Sequence, residues 1–345
     1  MKALLYQGPR DIRCETFDDP KLASDRDAIV RMTRCGICGS DLHIYHGQGF
    51  SPDLGFCVGH EAVGEVVEIG RGVNRLKVGD AVMLSAAVGC GACAPCLAGD
   101  IVQCRNNLMQ CYGLSHRLEG CQAEYIRVPA ADFNAAPMPE GLSDDQALML
   151  TDNLPTAWFG LKGCRIQPGE TVVVVGLGPI GLMGVEGAFA MGAARVFAVD
   201  LVPERRAIAE TLGAVALHPD EAAGVISEAT KGRMAEAAFE AVGAEATIRI
   251  AMALVGRQGR VSVIGVNQTA DFSFDMRMAF FKGLSSTIGT CSVQQYWPEL
   301  IGLIQGGRLH PERFVSHEMP LSEGAEAYRL FDAREGGALK MVMTA

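Results

Sequence analysis

Residues 171–181 read Thr-Val-Val-Val-Val-Gly-Leu-Gly-Pro-Ile-Gly. A β-branched apolar run ending in glycine predicts a buried strand, and Gly176, Gly178 and Gly181 keep the GxGxxG spacing directly after it. Gly176 allows a tight turn, Gly178 lets backbone approach a pyrophosphate, and Gly181 lets the next helix pack on the strand. Pro179 and Ile180 open that helix, whose free N–H groups and positive dipole end suit phosphate. This stretch therefore commits its part of the chain to a βαβ arrangement that binds a dinucleotide.

The surroundings agree. After Thr171, apolar runs alternate with helical segments, which predicts a parallel sheet covered on both faces. Strands are expected at 171–175, 195–199, 214–217, 235–239 and 260–264, with helices between most of them. The second ends in Val199-Asp200, where a carboxylate accepts the ribose hydroxyls of the adenosine half and repels the 2′-phosphate of NADP, so NAD is favoured. The plainer alternative for Asp200 is an ordinary carboxylate at a strand end. Arg205 either contacts the adenosine ribose or ring, or stays solvated in the first helical turn. Arg205 and Arg206 together keep NADP open as the lesser alternative.

Up to about residue 150, short β-like runs broken by glycine, such as 64–70 and 78–84, predict a strand-rich, barrel-like domain. After about Gly289 the regularity fades, and a helical stretch at 323–331 with a closing apolar run suits a return to that first domain. A chain of 345 residues calls for two domains, and Pro139-Glu140-Gly141 is the best punctuation between them.

A net charge of −10 argues against nucleic acid as a partner, because binding phosphate needs a basic surface. The opening residues turn polar too soon for a secretion signal, and no apolar run approaches the ~20 residues of a membrane span. A cytoplasmic protein with no membrane partner is expected. Its twelve cysteines then read as metal ligands and buried thiols and not as disulfides.

Four of them, Cys90, Cys93, Cys96 and Cys104, are close enough to close a tetrahedral thiolate shell around one zinc ion. A closed shell braces a loop and leaves no room for substrate. A second centre is expected where Cys35-Gly-Ile-Cys38-Gly-Ser40-Asp41-Leu-His43 meets Gly59-His60-Glu61. Cys38 and His60 are the natural ligand pair, and Asp152, in an otherwise apolar stretch, is the candidate third ligand for an open zinc site. Its rival role is a helix N-cap, for which Asp152 and Asn153 are both suitable types. Glu61 is expected behind the metal with occasional ligation. Asp41 either holds the outer nitrogen of His60 or is a surface loop residue. Cys35 and Cys57 are expected to pack as small apolar groups.

Taken together, the Cys-Gly-Ile-Cys-Gly-Ser-Asp-Leu-His segment, Gly-His-Glu, the run ending Lys77-Val-Gly-Asp80, the four-cysteine lobe and the glycine motif before Asp200 resemble the zinc-dependent alcohol dehydrogenases of the medium-chain dehydrogenase/reductase superfamily. The resemblance runs from Met1 to about residue 340. It implies an α/β chain with a GroES-like β-rich catalytic domain at 1–153, completed by 291–345, and a Rossmann doubly wound parallel-sheet domain at 154–290. It also implies Cys38, His60 and Asp152 as catalytic zinc ligands, a structural zinc in the cysteine lobe, Ser40 and His43 as a proton relay through the nicotinamide ribose, and Thr156 beside the nicotinamide. Many relatives carry Cys or Glu where Asp152 stands, and Asp is similar to the formaldehyde-dehydrogenase-like and secondary-alcohol branches.

The activity implied is reversible oxidation of an alcohol to an aldehyde or ketone with hydride transfer to NAD. Two zinc ions per chain and a dimeric or tetrameric homo-oligomer go with it. A polyol, threonine or formaldehyde dehydrogenase of the same layout is the nearest alternative. A non-catalytic NAD-binding redox sensor is a remote one.

Overall fold

The computed structural model describes residues 1–106, 110–266 and 272–345. They form two compact units, Met1–Pro155 with Ser292–Ala345, and Thr156–Cys291. No helix among the described residues is long and apolar enough to cross a membrane.

The first unit is built on a seven-stranded sheet whose centre is the antiparallel pair Ala28–Gly36 and Glu61–Ile69. In their register Gly36 faces Glu61 and Cys35 faces Ala62. Cys38, just past one strand, and His60, just before the other, are thus delivered to the same sheet end. The last strand, Met341–Thr344, pairs antiparallel on the other side of Ala28–Gly36, with Met343 opposite Cys35, and so brings the C-terminus to this end as well. A buried core of Val30, Met32, Ile37, Phe56, Tyr112 and Tyr328 fixes these strands from both sides.

The second unit is a six-stranded sheet, all parallel, in the order Val215–Leu217, Arg195–Val199, Thr171–Val175, Ala235–Glu240, Val255–Val263, Ser285–Ile288. Strand order reverses beside Thr171–Val175, the switch point at which such sheets bind ligands. Helices Pro179–Ala190, Pro203–Thr211, Pro219–Ala229 and Glu245–Leu254 alternate with the strands.

Three expectations need correction. Pro139-Glu140-Gly141 does not divide the units. The chain runs on through helix Asp144–Leu150, started by a capping box in which Ser143 Oγ accepts the Gln146 amide and Gln146 Oε1 accepts the Ser143 amide, and the first unit continues to Pro155. The strand expected at 260–264 begins at Val255, because Gly256 and Gly259, which read as breakers, lie inside it with Gln258 at φ 57. The sixth strand, Ser285–Ile288, was not foreseen, since its Ser-Ser-Thr sequence is exposed throughout and carries no apolar alternation.

Candidate metal centres and dinucleotide loop

Asp41 organises the first cluster. It begins the short helix Asp41–Tyr45, and its Oδ2 accepts the Cys38 amide hydrogen at 2.9 Å. Its Oδ1 lies 3.0 Å from His60 Nδ1, an ion-pair contact and not an aligned hydrogen bond. With Nδ1 turned to Asp41, the other ring nitrogen is aimed inward. His60 Nε2 stands 3.5 Å from Asp152 Oδ2, which is itself 3.3 Å from Cys38 Sγ. Ligands at ~2.0–2.3 Å around a tetrahedral zinc ion are separated by about 3.3–3.8 Å, and both contacts to Asp152 Oδ2 fall in that range. Glu61 offers a fourth donor atom, all four lying within 4.8 Å of one another.

The charges suit a cation. Burial followed by the Asp152 charge raises the Cys38 thiol. Burial opposes the His60 cation, but Asp41, Cys111 and Asp152 together outweigh it and hold the imidazole well above its usual value. Burial likewise opposes ionisation of Asp152, yet His60 and Cys38 bring it down to about 2. These shifts favour a protonated thiol and imidazole beside an ionised carboxylate, and a metal ion bound there would take the place of the two protons.

Ser40 makes no cap bond to its helix, and its Oγ lies 3.3 Å from His60 Nε2. His43 is half-buried, and burial with the neighbouring His46 lowers its pKa. No hydrogen bond joins the Ser40 hydroxyl to the His43 ring among the described residues. Cys35 and Cys57 are fully buried among apolar neighbours.

Two residues that contact this cluster were missed as site residues in the sequence. Lys340 is fully buried, donates to Glu61 Oε2, and donates to Ile37 O at 3.1 Å. A lysine inside the apolar run Leu339-Lys340-Met341-Val342-Met343 was the available signal, because lysine is almost never buried unpaired. Asn153, read only as a cap type, donates to Glu61 Oε1 at 2.6 Å.

In the cysteine lobe, sulfur separations are 3.5 Å for Cys93–Cys96, 3.9 Å for Cys93–Cys104 and 4.0 Å for Cys90–Cys96. Four sulfurs at ~2.3 Å around zinc would lie about 3.8 Å apart, so this lobe also fits its ion. Burial works against the Cys90 thiolate, but the amides of Ala92 and Cys93, each 3.4 Å from its sulfur, bring the thiol down to about 6. Burial pushes Cys96 up to about 12. The root of the lobe is clamped by buried Asn134, which donates to Gly89 O at 2.8 Å and accepts from Gly89 N at 2.9 Å.

In the second unit Gly176 has φ +88, open only to glycine at low strain, and a Cβ on Gly181 would run into Gly176 O. Gly178 is the N-cap of helix Pro179–Ala190, with Ile180 in its first turn. Asp200 follows strand Arg195–Val199. Its Oδ2 accepts from Leu177 N at 2.6 Å and its Oδ1 from Val202 N at 2.8 Å, so it braces the glycine turn. Arg205 lies in the first turn of Pro203–Thr211, and Thr156 in helix Asn153–Cys164.

Comparison with known proteins agrees with this architecture. The family "Alcohol dehydrogenase GroES-like domain" matches residues 24–140, and "Zinc-binding dehydrogenase" matches residues 179–306. A probable zinc-binding alcohol dehydrogenase of Mycobacterium tuberculosis is 40% identical over 344 residues, covering 99% of this chain and 88% of that protein. Among solved structures, the alcohol dehydrogenase TADH of Thermus sp. ATN1 is similar with a TM-score of 0.93 and 36% identity, covering 100% of this chain and 99% of that one. A protein of E. coli CFT073 described as a short chain alcohol dehydrogenase, in complex with the cofactor NADH, is similar with a TM-score of 0.87 and 27% identity, covering 100% of this chain and 99% of that one.

The chain belongs to the zinc-type alcohol dehydrogenases of the medium-chain dehydrogenase/reductase superfamily. It is an oxidoreductase with a GroES-like domain and a Rossmann-like parallel-sheet domain.

Proposed function

We propose that this protein oxidises an alcohol reversibly to an aldehyde or ketone, with NAD as hydride acceptor and two zinc ions per chain. The observation that carries the reading is the convergence of Cys38 Sγ and His60 Nε2 on Asp152 Oδ2, at 3.3 and 3.5 Å. Cys38, His60 and Asp152 would hold the catalytic ion, and Cys90, Cys93, Cys96 and Cys104 the structural one. A zinc ion held by three protein ligands supplies Lewis acidity, lowering a hydroxyl pKa from ~16 toward ~7.

The chain's own groups do the rest. Asp41 fixes the His60 ring so that Nε2 faces inward. Ser40 Oγ, beside that nitrogen, accepts the substrate's hydroxyl proton as it gives up its own, and His43, whose pKa is lowered by burial, is the group that would take up the released proton and pass it to solvent. Gly176, Gly178, Pro179, Ile180 and Gly181 form the turn and helix start that receive the pyrophosphate of NAD, and Asp200 meets the adenosine ribose. Arg205 flanks that ribose, and Thr156 lines the nicotinamide. The similarity to the E. coli alcohol dehydrogenase solved in complex with NADH supports this choice of cofactor.

Two further features belong to the same reading. Twelve cysteines, with no disulfide among the described residues, support a cytoplasmic enzyme. Edge strand Ser285–Ile288 with exposed Met276, Phe280, Phe281 and Ile288 supports a homo-oligomer.

The test is a steady-state screen of primary, secondary, benzylic and polyol substrates with NAD and NADP, using zinc-loaded protein. NADH formation from at least one class is expected. No turnover on any class at full zinc load would overturn the reading in favour of a nucleotide-binding sensor.

A further inference from the structure

Asn153 has 1% of its surface exposed, and its amide sits among the donors of the Cys38 cluster. Nδ2 lies 2.6 Å from Glu61 Oε1, 2.9 Å from Asp152 Oδ2 and 3.6 Å from Cys38 Sγ. Chemistry fixes this orientation, since the flipped amide would point its oxygen at two carboxylates. Asn153 Oδ1 is buried with no hydrogen-bond partner among the described residues, so the side chain serves only as a donor. An amide carries two such hydrogens, and the two shortest contacts are the carboxylates.

The consequence concerns Glu61. Its Oε2 is taken by Lys340 and its Oε1 by Asn153. Its donor atom is nonetheless within 4.8 Å of those of Cys38, His60 and Asp152, close enough for a modest side-chain rotation to bring a carboxylate oxygen onto an ion held there. An anionic carboxylate binds zinc more strongly than a neutral alcohol oxygen, so an unrestrained Glu61 would compete for the position an open site keeps for substrate. Lys340 holds one oxygen only. Asn153 holds the other.

We infer that Asn153 is a positioning residue that keeps Glu61 off the metal and thereby leaves the fourth coordination position to substrate. This rests on the proposed metal centre at Cys38, His60 and Asp152. The same amide also donates to Asp152 Oδ2 at 2.9 Å, an oxygen that already faces Cys38 Sγ and His60 Nε2.

The test uses the full chain with cobalt(II) in the Cys38 centre and imidazole as a neutral probe of the open position, read by visible absorption. Asn153→Leu removes the donor at similar volume, Asn153→Ser retains a shorter one, and a double variant combines Asn153→Leu with Glu61→Gln. The leucine variant is expected to change the cobalt spectrum before imidazole is added and to weaken imidazole binding by ~10-fold or more. The serine variant should fall between, and the double variant should return toward wild type, which a simple packing defect would not do. A leucine variant with wild-type spectrum and imidazole affinity overturns the inference, as does a loss that Glu61→Gln fails to restore. If the leucine variant does not fold, the serine variant decides by the same readouts. A wild-type chain that binds no metal at Cys38 and His60 instead overturns the metal-centre reading beneath it.

Discussion

His60 Nδ1 stands 3.0 Å from Asp41 Oδ1, while the other oxygen of the same carboxylate accepts the Cys38 amide hydrogen at 2.9 Å. One buried side chain thus orients two candidate ligands that come from different strand ends. Asp41→Asn keeps the shape and loses the charge. It should weaken zinc binding at this centre by ~10–100-fold, measured by chelator competition, with the cysteine lobe unaffected. Unchanged affinity would mean that Asp41 does not tune His60.

Zinc uptake should release protons. In the metal-free site Asp152, at about 2, stabilises the fold above the unfolded carboxylate value of ~4 and loses that contribution as pH falls through about 2. His60, raised by Asp41 against burial, contributes below its unfolded value of ~6.5 and loses the contribution as pH rises through its folded value. Zinc must displace the His60 proton and that of the raised Cys38 thiol, so affinity climbs with pH. Calorimetry in buffers of differing ionisation enthalpy should give about two protons released per ion at this centre at pH 7. Release near zero would contradict the protonation states derived above.

The cysteine lobe has a different fate. Cys93→Ala should reduce bound zinc from two ions to one and lower the Tm by on the order of 10 °C, as loss of a structural metal does. Cys14→Ser, on strand Asp11–Thr16 away from both clusters, should leave metal content and Tm near wild type. Equal zinc content in the Cys93 variant would contradict a four-thiolate site.

Asp200 carries a double load, because its two oxygens also accept the Leu177 and Val202 amides. Asp200→Ala should lower the ratio of kcat/KM for NAD over NADP by ~30-fold, from ~2 kcal/mol of charged hydrogen bonding and lost repulsion. Lost order in the glycine turn should also raise KM for both cofactors. An unaltered NAD preference would place the discrimination elsewhere.

The sequence disclosed what is local. Four cysteines between 90 and 104, three glycines after an apolar run, and Asp200 at a strand end all announce themselves within one or two turns of chain. Lys340 and Asn153 did not, because Lys340 is placed by sheet register and Asn153 reaches Glu61, 92 residues away, from the start of a helix. The pairing of Met343 with Cys35 carries Lys340 to Ile37 O, 303 residues away in sequence. Asn134 likewise clamps Gly89 only after strand Ala135–Pro137 pairs with Ala81–Leu84. The strand Ser285–Ile288 escaped for another reason: with every residue exposed, nothing in its composition records a buried face.

Zinc-edge anomalous diffraction from the zinc-loaded protein tests the central claim most directly. Two peaks per chain are expected, one ~2.3 Å from the sulfurs of Cys90, Cys93, Cys96 and Cys104, the other ~2.3 Å from Cys38 Sγ and ~2.0 Å from His60 Nε2 and an Asp152 oxygen, with a coordination position left open. A single peak in the lobe, with Cys38 and His60 turned apart, would contradict the account.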